Sequence, residues 1–326
     1  MHDHESLRLQ SAAPVRAAAS AGLIALAAAL SACGGGHEPL PNLAPVAGAD
    51  HAALVARGEY VVRNVSACGH CHAADPRRDV DGPLSGGMAF SNWRLGTVRA
   101  SNLTPDAATG LGSWSVAEIV RAIRNGNDRA GHLLAPVMPY EWLSGMGDAD
   151  ALAVATYLKS LPPVSNPVAS RPNLVFRMAK ALFLHPVRTQ TAAAPPRGPT
   201  AAYGRYLADG PGLCADCHTP RGGLQQAPDR HRLYAGDASP PSAFPANPSN
   251  LTPDAETGIG RWSEDDFLRT IRTGVNPRGD TLHAFMPWRE YRRMTDDDLR
   301  AIYRYLRTVP AMRNPVPRRA AAPPAG

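Results

Sequence analysis

The sequence predicts an all-α fold built from two tandem copies of one helical module. Long segments recur at a constant spacing. Helix start and stop signals fall at matching places in both copies. Nothing reads as a strong alternating strand. Aromatics make up only 6% of the 326 residues, against 32 Pro and 29 Gly. That balance fits short helices, long turn-rich loops and a core filled partly by something other than side chains.

Residues 1–33 stand apart. Arg8 and Arg16 precede an apolar run from Ala17 to Leu30, which ends at Leu30-Ser31-Ala32-Cys33. A basic start, a short apolar stretch and small residues before a cut describe an export signal. The run is too short and Ala-rich for a membrane span. Its ending resembles the lipobox of bacterial lipoproteins, which makes Cys33 the expected lipidated residue. Four of the five Cys lie in two Cys-x-x-Cys motifs, so lipidation also accounts for the odd one. Residues 34–49, Gly- and Pro-rich, read as a flexible tether. Together these features predict a periplasmic protein anchored to a membrane.

The first module is expected over residues 50–164 and the second over 200–314. Ser101-Asn-Leu-Thr-Pro-Asp106 recurs as Ser249-Asn-Leu-Thr-Pro-Asp254, an offset of 148 residues, and Met138-Pro139 recurs as Met286-Pro287 at the same offset. Helices are predicted at 57–67 and 203–213. Ser115 with Glu118 forms a capping box, stapled by Trp114 and Ile119; Ser263 with Asp266 repeats it. Gly126 and Gly274 stand where these helices should stop. Each final helix starts near Asp148 or Asp296, and Leu299, Ile302, Tyr303 and Leu306 make one apolar stripe.

Residues 165–199 form a linker with a helix near 173–184, expected to pack between the modules. From 166 to 199 there are five basic residues and no acidic one. An acidic partner or anionic headgroups would suit that surface. Residues 315–326 form a Pro/Ala/Arg tail. Nothing points to a nucleic-acid partner.

Cys68-Gly-His-Cys71-His72 and Cys214-Ala-Asp-Cys217-His218 carry the attachment signature for c-type haem. Two thiols three residues apart reach the two vinyl groups on one porphyrin edge, and the following His supplies one axial nitrogen. Two haems c are therefore expected, on Cys68 and Cys71 and on Cys214 and Cys217. A redox dithiol or half of a zinc site would use the same Cys pair. Neither explains the trailing His in both copies. Met138 and Met286 are expected to close the second axial positions opposite His72 and His218. Met146 and Met294 compete, but Met294 fits a staple against Leu299. His132 and His283 do not align between the copies. His70, matched by Asp216 in the second copy, is not expected to be essential.

With these motifs, the chain resembles the cytochrome c subunits of membrane-bound bacterial alcohol and gluconate (sugar-acid) dehydrogenases. Gly86-Gly87, Ser101–Asp106, Thr109–Gly112, Pro136–Tyr140 and Leu158–Val164 carry the likeness, with Cys214–Arg221 in the second module. The resemblance implies two class I cytochrome c-like domains and electron transfer without catalysis of its own. It also implies a periplasmic dehydrogenase as donor and a cytochrome, oxidase or quinone-linked acceptor. Those subunits typically have three haem modules; this sequence has two. A dihaem enzyme such as a peroxidase or thiosulfate dehydrogenase is the alternative.

Overall fold

The computed structural model describes residues 40–41, 50–75, 79–188, 193–223, 227–240 and 245–317. The leader, Cys33, most of the tether and the tail beyond residue 317 lie outside the described residues. The described residues from 50 onward belong to one compact unit.

Helix α1 (His51–Tyr60) begins where Asp50 accepts the Ala52 N–H, earlier than the expected start at 57. It runs on through a π-helical turn, Val61–Val65, to the short helix α2 (Gly69–His72). A hairpin of β1 (Ala89–Asn92) and β2 (Gly96–Arg99) follows. Then come α3 (Val116–Asn125), α4 (Tyr140–Leu143) and α5 (Asp148–Ser160). Strand β3 (Arg171–Pro172) adds to β2, and α6 (Leu174–Phe183) is capped by Asn173. The series then recurs: α7 (Ala201–Asp209), α8 (Cys214–His218), the two-residue strands β4 (Arg221–Gly222) and β5 (Ala227–Pro228), α9 (Glu264–Thr273), α10 (Trp288–Tyr291) and α11 (Asp296–Leu306).

Two helix crossings build the cores. α1 packs on α5, and α7 packs on α11. Gly58 and Gly204 sit at the crossings, where a Cβ would run into the carbonyl oxygens of Ala153 and Ala301. Only glycine permits this approach of backbones. Both capping boxes form: Ser115 with Glu118, and Ser263 with Asp266. Gly126 (φ 77°) and Gly274 (φ 73°) end those helices in the left-handed region.

The strands were not expected. They are at most four residues long and alternate only between exposed and half-buried positions in β1, so their sequence carries no clear period. The linker helix also differs from expectation. The hydrogen bonds at its two ends run to the first module: Asn173 donates to the Trp93 and Leu95 carbonyls, and Val187 exchanges hydrogen bonds with Asn125.

The two helical series share an interface. Tyr60 donates to Asp298 (2.5 Å) and accepts from the Thr295 N–H (3.0 Å). Arg57 makes two 2.8 Å contacts to Asp150, to which Tyr206 also donates at 2.7 Å. Val65, Ala67 and Trp142 belong to the same apolar cluster as Tyr203, Leu207, Leu299 and Ile302. No helix among the described residues is long and apolar enough to cross a membrane.

Candidate functional site

Each Cys-x-x-Cys-His segment forms a single helical turn, entered from a residue with positive φ: Ala67 (46°) and Leu213 (56°). A left-handed non-glycine residue costs about 1–2 kcal/mol. The same strained entry at both motifs re-aims the chain so that Cys and His project from one turn.

The two histidines have matching partners. His72 Nδ1 lies 2.8 Å from the Ser101 carbonyl, and His218 Nδ1 lies 2.7 Å from the Ser249 carbonyl. A carbonyl can only accept, so each Nδ1 carries the proton and each Nε2 presents a lone pair. Burial pushes both imidazoles below the usual histidine value, which keeps that lone pair free.

The repeated Ser-Asn-Leu-Thr-Pro-Asp segment builds this support. Asn102 donates to Thr109 (3.0 Å) and to the Val164 carbonyl (2.8 Å), while its oxygen accepts the Thr104 N–H (3.0 Å). Asn250 makes the equivalent bonds to Thr257, Met312 and Thr252 at 2.9, 2.7 and 2.9 Å. The sequence showed the repeat but not its task; the backbone carbonyls of Ser101 and Ser249 left no side-chain signal.

Both Met-Pro segments adopt one loop geometry. Met138 N–H bonds to Ala135 and Met286 N–H to His283, and each Met carbonyl accepts from the N–H two residues on at 2.8 Å. Cys68 and Met138 pack on the core that contains Val61, Ile119 and Leu158. Cys214 and Met286 pack on the core that contains Leu207, Ile271 and Leu306. Met146 and Met294 are instead fully inside those cores, at 2% and 3% exposure, as packing residues.

In the second series Cys214, Cys217, His218 and Met286 line one cleft, whose other walls include Leu251, Ile259 and Ile271. His283 also borders it, with Nδ1 accepting the Phe285 N–H. His132 is exposed beside Asp128. Burial drives the thiols upward, to about 11 for Cys68 and about 12 for Cys71 and Cys214. Redox dithiols need the opposite shift. Apolar walls, two neutral thiols, an imidazole lone pair and a thioether suit a flat apolar iron macrocycle.

A model of the cytochrome c family matches residues 201–310. The gluconate 2-dehydrogenase cytochrome c subunit of Pantoea cypripedii is 33% identical over 79% of this chain and 60% of its own length. The cytochrome c subunit of the Gluconobacter oxydans alcohol dehydrogenase (quinone) is 32% identical over 81% of this chain and 58% of its own. A dihaem c-type cytochrome of Cereibacter sphaeroides is 31% identical over 78% of this chain and 86% of its own. The chain belongs to the cytochrome c family. As a c-type cytochrome it binds haem and carries electrons. It spans about three fifths of the two dehydrogenase subunits.

In this cytochrome the first Cys-x-x-Cys-His turn reaches across to the second series. His70 Nδ1 lies 3.3 Å from Glu290, and its ring meets Phe285 edge-on at 5.5 Å. Arg230 stacks on Trp142 at 4.6 Å. Asp216, paired with Arg221, is pushed upward mainly by burial. His70 thus helps join the two series, a role its place inside the motif did not reveal.

Proposed function

We propose that this chain is a membrane-tethered periplasmic dihaem cytochrome c, relaying electrons from a partner dehydrogenase to a downstream respiratory acceptor. Cys68 and Cys71 would hold one haem, and Cys214 and Cys217 the other. His72 with Met138 and His218 with Met286 would supply the axial atoms. The observation that carries this reading is the duplicated support of His72 and His218 by the Ser101 and Ser249 carbonyls, beside a Cys and a Met on one core. Bound haem supplies a one-electron couple whose potential imidazole–thioether ligation raises. The residues' own task is to fix tautomer and ring orientation, exclude water with apolar walls and hold both ligands. Each module would form one cytochrome c domain, over 50–164 and 200–314.

The dehydrogenase partner is inferred from the relatives, which are named as cytochrome subunits of such enzymes. Lipidation of Cys33 would keep the chain at a membrane surface; stable anchoring takes more than one acyl chain.

Mass spectrometry tests the count: the mature protein should carry the mass of two haems, and the Cys214→Ala/Cys217→Ala variant one. Ferrous protein exposed to carbon monoxide at neutral pH should change little in its visible spectrum. A rapid, complete shift of one haem would overturn the carrier reading in favour of a dihaem enzyme. An unmodified Cys33, or cleavage elsewhere, would rule out the lipid anchor.

A further inference from the structure

Helix α6 turns a bare apolar face outward. Leu174, Val175, Met178 and Leu182 fall within an arc of about 100° on a helix of 3.6 residues per turn. They are 68%, 52%, 55% and 62% exposed; Phe183, at the end of the helix and nearer the side of Phe176, is also exposed at 56%. Phe176, on the opposite side, is buried at 7% and marks the face turned to the protein. Trp93, 72% exposed, lies at the tip of the β1–β2 hairpin. The Asn173 amide ties that tip to the start of α6 through the Trp93 carbonyl at 2.6 Å. Among the described residues, eight large apolar side chains are exposed, and six of them are here. They form a patch, not the scatter normal for a surface.

The surroundings are cationic. Arg94, Arg171, Arg177 and Arg188 are exposed around the patch, and residues 166–199 contain no carboxylate. The apolar side chains stand on a convex helical ridge. A ridge of aliphatic groups with Trp at one end and arginines at its margins suits a deformable lipid layer better than a protein partner, which would need a matching groove. Helices of this character lie in the headgroup plane with the apolar side down, and cations near an anionic leaflet add attraction.

The geometry points to α6 with Trp93 as a lipid-facing surface that lies flat on an anionic bilayer and orients the first module against it. This rests on the reading that the chain works at a membrane. The 16 residues between Cys33 and Asp50 can span at most roughly 55 Å, so a lipid on Cys33 and α6 could engage one bilayer together.

The test uses the full haem-loaded chain with Cys33→Ser, which removes the lipid. It is co-sedimented with vesicles of phosphatidylcholine alone or mixed with phosphatidylglycerol. Binding to the mixed vesicles is expected, weakening as salt rises. The Leu174→Glu/Met178→Glu/Leu182→Glu variant should bind about tenfold or more weakly, as burial of several methylene groups is lost, with haem spectrum and Tm unchanged. Should that variant lose its spectrum, Met178→Gln provides the same contrast at one exposed position. Absence of binding by the Cys33→Ser chain overturns the proposal, as does equal binding by the face variants. Loss of dehydrogenase co-purification with vesicle binding intact also overturns it, because the face would then serve a protein. Mass spectrometry of wild-type Cys33 reports separately on lipid anchoring.

Discussion

Asn102 and Asn250, exposed by only 2% and 3%, do more for the candidate sites than their side chains suggest. Each holds a loop whose preceding carbonyl accepts the proximal imidazole proton. Removing either leaves a buried Thr N–H without its acceptor, a loss of about 1–3 kcal/mol. Asn102→Ala and Asn250→Ala should each lower stability by that order in denaturant melts. Asn102→Asp, which sets a buried carboxylate oxygen against the Val164 carbonyl in place of the donor, should cost more than Asn102→Ala at neutral pH. The candidate Cys, His and Met positions came from spacing, because covalent attachment and ligation would demand those residue types. The second layer could not, because a carbonyl oxygen belongs to every residue and only the fold selects Ser101 and Ser249.

At the scale of elements, helix ends were legible because caps are local chemistry. Ser115 with Glu118 and Ser263 with Asp266 form the reciprocal bonds their spacing implied. The strands and the tight crossings were not legible. A two-residue strand such as β3 owes its pairing to the chain around it, and Gly58 and Gly204 look like ordinary helix residues until the partner helix is placed. Their effect should be large: Gly58→Ala or Gly204→Ala forces the crossing apart and should cost about 1–3 kcal/mol. An exposed glycine changed to alanine within a helix would instead gain up to about 1 kcal/mol. Urea titrations of Gly204→Ala would show which sign holds.

At the scale of the molecule, Tyr60 and Tyr206 hold the two series together through carboxylates. Burial and then the neighbouring carboxylates, Asp298 for Tyr60 and Asp150 for Tyr206, push both hydroxyls well above the ordinary tyrosine value of 10.0. Each phenol therefore keeps its proton more tightly folded than unfolded. Their stabilisation is present in full below pH 10 and declines as pH rises beyond it. Thermal melts should show Tm falling above pH 10, and Tyr60→Phe/Tyr206→Phe should flatten that fall. The interface has a kinetic consequence as well. Because Tyr60, Tyr206 and the shared apolar cluster fix the two series against each other, the proposed exchange of an electron between the two candidate sites needs no domain swing. After flash reduction of one site, equilibration with the other should keep the same rate in glycerol or sucrose, while encounter with a diffusing donor slows in proportion to solvent viscosity.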